Sequence, residues 1–360
     1  MEWLLIAGAF ALSFGNGAND NFKGFATVWG SGTLGFRPAL VLATVATLAG
    51  ALASVFLAES LVHSFSGKGL VSAAVVGAPA FISSVAVGSA ATILLATWIG
   101  FPVSTTHALV GGLVGAGFAL GGEVSFSKLG VIYFLPLLVS PLASAALAAV
   151  LFRFLRRSTS PVADCACIVP PPIPIQIGTQ LSVRTSSMQL PSVVVDTDAS
   201  CDRLQPAARL SISRGLDRLH VFSAMAICFA RGVNDTPKLA ALLVAGELLD
   251  VRLSALAVAV AMMAGGWLFA ARVAETMSHR IAQLDHPQGV AANLITALLV
   301  LFASKFGMPV STTHVSVGAI AGVGSSANTL DRSMLRNVLL SWVATLPIAA
   351  IAAFTAASIL

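Results

Sequence analysis

The sequence predicts an all-α integral membrane protein, built as an inverted-topology repeat of two halves with broken helices and re-entrant hairpins. Three observations predict this fold class. The 360 residues are 57% hydrophobic and only 10% charged, whereas a soluble domain carries about 25% charged residues. Apolar stretches recur at lengths that can cross a hydrocarbon layer of ~30 Å. A polar phrase embedded in these stretches occurs twice, which indicates a duplicated unit.

The repeated phrase is Pro-Val-Ser-Thr-Thr-His, at residues 102–107 and again at 309–314. Around it, residues 100–117 and 307–324 align without a gap, and eleven of the eighteen positions are identical. A second pair, residues 14–23 and 229–238, shares Phe, Gly, Asn, Asp and Lys in register. Both pairs occur in the same order along the chain, so two copies of one unit follow each other.

The first repeat is predicted over residues 1–157. Its first apolar segment meets Gly-Asn-Gly-Ala-Asn-Asp, which a lipid-facing helix would not carry, so we expect a helix broken inside the membrane. No charged loop separates the third segment from the fourth, which therefore form either two crossings or one re-entrant hairpin. The predicted apolar segments are 3–14 continuing over 22–28, then 38–58, 81–99, 108–120 and 129–152.

The second repeat is predicted over residues 219–360, after a linker at 158–218. The linker has three consecutive prolines and many Ser, Thr and Asp residues, so we expect it to be mostly disordered or weakly folded. Three of the four cysteines lie in it without the spacing of zinc ligands, so we expect free thiols and no metal site. The second repeat is predicted to break at 231–238 after an apolar segment at 219–230, followed by segments at 254–270, 290–306, 315–324 and 337–358.

Basic residues predict the orientation in the cell membrane. With five crossings in each half and the linker in the cytoplasm, the inner loops hold eleven arginines and the outer loops three basic residues. An odd number of crossings per half places both termini outside and inserts the halves upside down. The start of the chain lacks the positive region of a secretory signal, so we expect the first segment to remain in the membrane. The net charge of +5 reflects these loops, and no basic patch interleaved with aromatic residues indicates nucleic-acid binding.

The repeated phrases have the composition of helix N-termini, because proline suits the first turn and Ser or Thr the N-cap. A helix beginning inside the membrane presents unpaired N–H groups and the positive end of its dipole. Two such ends facing each other would form an oxyanion site near the midplane, as in transporters with discontinuous helices. The alternative is that the hydroxyl groups bond carbonyls of their own helices. The predicted anion-binding residues are Ser104, Thr105, Thr106, Ser311, Thr312 and Thr313.

Carboxylates within the apolar segments indicate a second functional element, because a charge in the membrane is costly. Asn and Asp offer the oxygen ligands that a hard cation requires. The predicted coupling-cation or proton site is Asn19, Asp20 and Lys23 together with Asn234, Asp235 and Lys238. The alternative is an Asp–Lys ion pair at i, i+3 that only holds the broken helix together.

Three further polar residues accompany these motifs. His107 and His314 either carry protons or orient a neighbouring group. Arg231 has no basic counterpart in the first half, where Asn16 stands, so it is either an added anion contact or a charge facing the linker.

At these residues the chain resembles the inorganic phosphate transporter (PiT) family, over both membrane halves but not the linker. The Pro-Val-Ser-Thr-Thr-His phrases and Gly-Ala-Asn-Asp at 17–20 carry the resemblance. It implies a secondary transporter with an inverted repeat, usually dimeric. Such a protein moves inorganic phosphate across the bilayer with Na⁺ or H⁺, or as a neutral metal–phosphate complex, and needs no cofactor. The resemblance also implies that the Ser-Thr-Thr segments bind phosphate and that the Asn-Asp segments help to bind phosphate and the coupling cations.

The sequence departs from the family pattern just after each Asn-Asp pair. Asn21-Phe22-Lys23 and Thr236-Pro237-Lys238 replace the usual small residues, and the second signature reads Gly-Val-Asn-Asp. We hypothesise that Lys23 and Lys238 stand where coupling cations would otherwise bind, which would make transport proton-coupled or uncoupled.

Three other functions compete with phosphate transport. Another tetrahedral oxyanion such as sulfate would fit the same hydroxyl groups, but only phosphate carries P–OH donors that Asp20 or Asp235 would accept. An intramembrane hydrolase with Ser104 as nucleophile and His107 as base lacks an evident third group to orient the base. A purely structural membrane scaffold would not keep Asp and Lys in its spans.

Overall fold

The computed structural model describes residues 1–158, 165–170, 191–204 and 208–360. The chain divides into two compact units. One unit contains Met1–Arg153 and His220–Leu360, and the other contains Phe154–Leu219. Most of the described residues are helical, as the composition predicts.

The first half of the larger unit follows the predicted order of apolar segments. Its first helix continues through the Gly-Asn-Gly-Ala-Asn-Asp stretch, so the break begins only after Asp20, later than predicted. A 3₁₀ turn at Lys23–Phe25 then leads into a helix of five residues. The helices are α1 (Glu2–Asp20), α2 (Ala26–Gly30), α3 (Phe36–Leu57), α4 (Glu59–Ser64), α5 (Ala73–Val76), α6 (Pro79–Ile99), α7 (Thr105–Ala119), α8 (Phe126–Lys128) and, after a π-helical turn at Leu129–Phe134, α9 (Leu135–Ser158).

The smaller unit contains a sheet that the sequence did not predict. Strands β1 (Cys165–Val169), β2 (Ser192–Asp196) and β3 (Ala208–Ser211) pair antiparallel in the order β2-β1-β3, with α10 (Asp198–Arg203) between β2 and β3. Cys165, Cys167 and Cys201 are buried together as free thiols, since cysteine packs like a small apolar residue. For these residues the expectation of disorder is wrong, while prolines 171 and 172 lie outside the described residues.

The second half begins with a helix that does not break. α11 runs continuously over Ile212–Ala245 and contains Pro237, so the predicted break at 231–238 is wrong. Its polar residues Arg231, Asn234, Asp235 and Lys238 are spaced i, i+3, i+4 and i+7, which places them on one face. The helix can therefore bury them without unwinding. The remaining helices are α12 (Val251–Phe269), α13 (Ala271–Glu275), α14 (His286–Lys305), α15 (Thr312–Ala327) and α16 (Arg332–Ile359), with a π-helical turn at Thr276–Arg280.

Within the described part of the chain, six helices are long and apolar enough to cross a membrane. Many of their large apolar side chains are exposed, as expected for surfaces that face lipid. The protein is therefore a multi-pass membrane protein. The six spans are Phe36–Leu57, Pro79–Ile99, Phe126–Leu155, Val251–Phe269, His286–Lys305 and Arg332–Ile359.

Helices α1 and α11, which carry the two Asn-Asp signatures, pack antiparallel to each other. Leu5 near the start of α1 lies against Gly246, just past the end of α11. Asn16 near the end of α1 contacts Arg231 in the middle of α11. These two corresponding helices therefore run in opposite directions where they meet.

Corresponding glycines in the two signatures make corresponding close contacts. A Cβ atom at Gly17 would lie 1.9 Å from the carbonyl oxygen of Met262 on α12. A Cβ atom at Gly232 would lie 2.3 Å from the carbonyl oxygen of Thr47 on α3. Each signature helix therefore packs backbone to backbone against a helix of the other repeat, and only glycine leaves room for this approach.

Candidate functional site

Each repeated phrase begins a helix, as its composition predicts. Ser104 is the N-cap of α7, and its Oγ accepts a hydrogen bond of 3.1 Å from the backbone N–H of His107. Ser311 caps α15 in the same way, with 3.3 Å to the backbone N–H of His314. The capping satisfies one N–H group of each first turn and leaves the others directed out of the helix end.

The two phrases contact each other directly. Thr106 Oγ1 donates to the carbonyl oxygen of Val310 at 3.2 Å, and Thr313 Oγ1 donates to that of Val103 at 2.7 Å. Both contacts join one repeat to the other. The structure therefore brings together the six hydroxyl residues that the sequence singled out, and all six are buried: Ser104, Thr105, Thr106, Ser311, Thr312 and Thr313.

The ammonium group of Lys23 lies among oxygen atoms of both repeats. It pairs with Asp20 Oδ1 and donates to Asn19 Oδ1 at 3.1 Å and the Val103 carbonyl at 3.2 Å. The fourth oxygen is Thr313 Oγ1, at 2.5 Å, from the second repeat. A carboxylate, an amide, a carbonyl and a hydroxyl oxygen thus surround one buried cation.

Lys238 repeats this arrangement on the other side. Its ammonium group lies 2.6 Å from the Val310 carbonyl, 3.1 Å from Thr106 Oγ1 and 3.5 Å from Asp235 Oδ1. Each lysine therefore binds a carbonyl of its own repeat and a threonine of the other. The predicted Asp–Lys ion pairs exist, but they also join the two phrases.

The two asparagines join each signature helix to the helix that precedes a repeated phrase. Asn19 Nδ2 donates to Thr97 Oγ1 and to the Phe101 carbonyl, both at 3.0 Å. Asn234 accepts from Ser304 Oγ at 3.1 Å. Thr97 and Ser304 occupy corresponding positions 207 residues apart, and sequence reasoning missed both. The two phrases are also 207 residues apart, so this shared offset could have identified Thr97 and Ser304 from the sequence.

Arg231 and Asn16, which correspond in the two signatures, bond to each other. Arg231 Nη2 lies 2.6 Å from Asn16 Oδ1, and its Nε lies 3.6 Å from Asp235 Oδ2. Asn16 Nδ2 in turn lies 3.2 Å from Asp20 Oδ2, 3.4 Å from Asp235 Oδ2 and 2.9 Å from Thr105 Oγ1. Arg231 therefore faces the site and not the linker. Asn16 links the two carboxylates, a role that the sequence did not predict.

The buried charges sum to a positive value. Three cationic side chains face two carboxylates, which gives a formal charge of +1, and all five residues are no more than 4% exposed. Moving a proton within an Asp–Lys pair does not alter this sum. A positive cluster in a low-dielectric interior attracts an anion. The five residues are Lys23, Lys238, Arg231, Asp20 and Asp235.

The six hydroxyl groups differ in the hydrogen bonds that they make. Those of Thr106 and Thr313 donate to the opposite phrase, so their hydrogen atoms are committed. The hydroxyl oxygens of Ser104, Ser311 and Thr105 act as acceptors, and the described residues offer no acceptor for their hydrogens. Thr312 makes no side-chain hydrogen bond within the described part of the chain. The hydrogens of these four hydroxyl groups are therefore not committed to an acceptor among the described residues.

The two histidines contact each other between the phrases. Their rings pack edge to face with centroids 4.6 Å apart. His107 Nδ1 lies 3.2 Å from the carbonyl of Trp342 on α16, and His314 Nδ1 lies 3.1 Å from that of Leu137 on α9. Each ring thus positions its phrase against the last helix of the opposite repeat. Ser104 bonds the backbone and not the ring of His107, so no nucleophile–base pair forms.

A multi-pass helical protein with a buried, hydroxyl-rich, positively charged cluster between two repeated phrases belongs to the class of membrane transport proteins. The sequence pattern of the phosphate transporter family matches residues 16–353. The chain therefore belongs to the phosphate transporter family, which is a family of transporters and not of enzymes.

Proteins of similar sequence or structure support the assignment of the chain to this family. The chain is 29% identical over 389 residues to a predicted phosphate permease of Pyrococcus horikoshii, covering 96% of this chain and 94% of that one. It is 28% identical over 411 residues to the chloroplastic inorganic phosphate transporter 2-1 of Arabidopsis thaliana, covering 95% and 69%. A solved structure titled "The sodium-dependent phosphate transporter" shares the fold, with a TM-score of 0.76, 21% identity, and coverage of 100% of this chain and 99% of that chain.

Proposed function

We propose that this protein is a secondary transporter that binds inorganic phosphate between its two phrases and moves it by alternating access. The observation that carries the proposal is the direct contact of the phrases, with four hydroxyl groups left to donate. Family membership makes phosphate the substrate to expect. Phosphate offers acceptor oxygens in a tetrahedral arrangement, which donors from two facing helix ends can surround.

The anion-binding residues in this proposal are Ser104 and Thr105 with Ser311 and Thr312. Thr106 and Thr313 hold the two phrases together and bind the lysines. Positive charge from the lysines and Arg231 adds attraction without touching the anion in this closed conformation. The site is fully enclosed, as an occluded intermediate of alternating access requires.

The proposal for the coupling ion rests on the oxygen atoms that surround the ammonium groups of Lys23 and Lys238. Carboxylate, amide, carbonyl and hydroxyl oxygens are the ligands of a hard cation, and here an ammonium group is already among them. We propose that the lysines replace a coupling Na⁺, so that transport is coupled to protons or runs as a uniport. The Na⁺ dependence named for the structural neighbour would then not extend to this chain.

The architecture proposed for this mechanism is an inverted repeat with a re-entrant hairpin in each half. The antiparallel packing of α1 and α11 and the reciprocal contacts of Lys23 and Lys238 support it. The odd number of crossings per half, the cytoplasmic linker and the outside termini remain proposals that rest on the arginine distribution. Assembly as a homodimer is a proposal that rests on the family alone.

The test is uptake of labelled phosphate into proteoliposomes under a Na⁺ gradient, a proton gradient or neither. We expect uptake that is independent of Na⁺. Uptake that requires Na⁺ and ignores pH would contradict the coupling proposal. Competition by unlabelled sulfate tests the substrate, because the lack of any saturable phosphate uptake together with sulfate-specific uptake would identify a sulfate transporter. A Ser104→Ala, Ser311→Ala double variant that inserts normally should lose transport.

A further inference from the structure

The fold places two unlike seals at corresponding positions of the two repeats. The first contains Leu5, Ala86 and Leu242, which are buried members of the extended apolar core of the larger unit. The second contains Thr27, His220 and Asn293. His220 corresponds to Leu5 and Thr27 to Leu242 at the offset of 215 residues that relates the two signatures. Asn293 corresponds to Ala86 at the offset of 207 residues that relates the two phrases. We call these the apolar seal and the polar seal. The two seals therefore correspond by sequence position but differ in chemistry.

The polar seal is a connected set of hydrogen bonds. Thr27 Oγ1 donates to Asn293 Oδ1 at 3.0 Å and lies 2.9 Å from His220 Nε2. Asn293 Nδ2 donates to Ser223 Oγ at 3.1 Å, and Ser223 Oγ donates to the His220 carbonyl at 2.7 Å. All four side chains are buried. None of them has a part in the anion or cation contacts described above.

The two seals lie at opposite ends of the bundle, with the phosphate site between them. His220 and Leu242 are 22 residues apart on α11, or about 33 Å at the rise of a helix. This distance matches the ~30 Å thickness of the hydrocarbon layer. Arg231 lies midway between them. Along α11, the direction from Arg231 toward the start of the helix leads to His220 in the polar seal, and the direction toward its end leads to Leu242 in the apolar seal.

The two seals differ in what opening requires. When a polar seal opens, water replaces each lost hydrogen bond, so the net loss is small. When an apolar seal opens, leucine side chains become hydrated, which is unfavourable in proportion to their area. The polar seal is also built on α2, a helix of five residues that a 3₁₀ turn separates from α1. Its counterpart, Leu242, belongs to the continuous helix α11.

We propose that the polar seal is the gate that opens first and that the empty carrier rests open to water on that side, through movement of α2 away from α11 and α14. The inference rests on the proposed phosphate transport, because it assumes that the enclosed site must open to both sides. Phosphate enters or leaves through a hydrated passage lined by Thr27, His220, Ser223 and Asn293. If the linker is cytoplasmic, this passage faces the cytoplasm.

Cys228 provides a native reporter of this gate. It lies on α11 between His220 and Arg231, is fully buried, and its Sγ is 3.9 Å from the carbonyl oxygen of Asn21 in the break before α2. Movement of α2 would uncover it. In a full-length chain with the other three cysteines changed to serine, the labelling rate of Cys228 by a charged methanethiosulfonate in sealed, oriented vesicles reports opening of the polar seal.

The decisive variant converts the polar seal into a copy of the apolar one. Thr27→Leu, His220→Leu and Asn293→Ala introduce the residues found at Leu242, Leu5 and Ala86. We expect labelling of Cys228 to slow about tenfold or more, because opening must now hydrate two leucines. Asn293→Ala alone should have the opposite effect and speed labelling, since it removes the acceptor of the Thr27 hydroxyl and the donor to Ser223 Oγ from the closed state.

Added phosphate separates this inference from the proposed function. Phosphate should slow the labelling of Cys228 by favouring the closed, loaded state. If phosphate has no effect but the triple variant still slows labelling, the gate inference stands and the phosphate proposal fails. If phosphate protects Cys228 but the triple variant labels at the parental rate, the gate inference is overturned. Faster labelling from the opposite side of the membrane would overturn it as well.

Discussion

Removal of one tethered ammonium group should convert the protein into one that binds a free monovalent cation. In the variant Lys23→Ala, the carboxylate of Asp20 loses the lysine of its ion pair. The Val103 carbonyl and the Thr313 hydroxyl each lose a hydrogen-bond donor. Breaking a buried ion pair from one side costs about 3–5 kcal/mol of folding free energy. The same change leaves an oxygen-lined cavity in the place of the ammonium group.

A cation that fills this cavity restores part of the lost stability. At a Na⁺ concentration of about one hundred times the dissociation constant, binding would restore about 2.7 kcal/mol of folding free energy. This is more than half of the smaller estimate of the free energy lost with the ion pair. Methylammonium matches the end of the deleted side chain and should act in the same way. The wild-type protein, whose cavity is filled by its own lysine, should respond to neither.

The assay is the thermal unfolding midpoint of the purified protein in NaCl, methylammonium chloride or choline chloride at equal ionic strength, followed by phosphate uptake in the same salts. Lys68→Ala is the matched control, because Lys68 is exposed. A second control, Lys23→Ala with Asp20→Asn, removes the carboxylate together with the cation and should show no response to Na⁺. The reasoning is refuted if folded Lys23→Ala protein is indifferent to both cations, or if the wild type itself requires Na⁺.

Three further predictions use single substitutions. Thr105→Val should raise the KM for phosphate, because the Thr105 hydroxyl is free to donate to the anion. Thr106→Val should lower the maximal rate and leave KM unchanged, because Thr106 binds the opposite phrase and Lys238. Identical kinetics for the two variants would contradict these separate roles. Arg231→Lys should lower stability by about 1–3 kcal/mol, because an ammonium group cannot bond as many partners as the guanidinium does, and an unchanged unfolding midpoint would count against it. Gly17→Ala should abolish the folded monodisperse protein, because its Cβ atom would lie 1.9 Å from a carbonyl oxygen of α12. Gly130→Ala, which meets nothing within 4 Å, should behave as wild type, and equal yields of these two glycine variants would disprove the packing argument.

The repeat made much of the site predictable, because it marked the same residues twice. Ser104 and Ser311 cap helices as their position before Thr-Thr-His indicates. The sequence did not show which hydroxyl groups donate to the opposite phrase and which keep an uncommitted hydrogen. Whether a threonine donates to an anion or to a carbonyl depends on a partner about 200 residues away, and local pattern contains no information on that distance.

The two signatures also show where local pattern misleads. Both have polar residues at i, i+3, i+4 and i+7, yet α1 ends at Asp20 and α11 continues past Pro237. Proline disfavours a helix interior, so the sequence favoured a break in the second half. Tertiary packing outweighs that preference, since Gly232 and its neighbours lie backbone to backbone against α3. The strands of the linker were hidden for another reason, because disorder was assigned to the whole segment from its average composition and not from the short alternating runs within it.

A carrier with covalently attached cations differs in energetics from one that binds free cations. A bound Na⁺ that leaves with the substrate carries the free energy of its gradient into each cycle, whereas an ammonium group returns with the empty site and contributes no net work. Lys23 and Lys238 can therefore lower the cost of burying an anion but cannot drive its accumulation. Uphill transport by this protein would need a proton that leaves with the phosphate, either on a P–OH group of the anion or by way of Asp20 or Asp235, which each already bond a lysine and Asn16. The two forms of the proposal therefore differ in one measurement: a uniport stops net uptake when internal and external phosphate are in electrochemical balance, whereas a proton-coupled carrier continues beyond that point under an inward proton gradient.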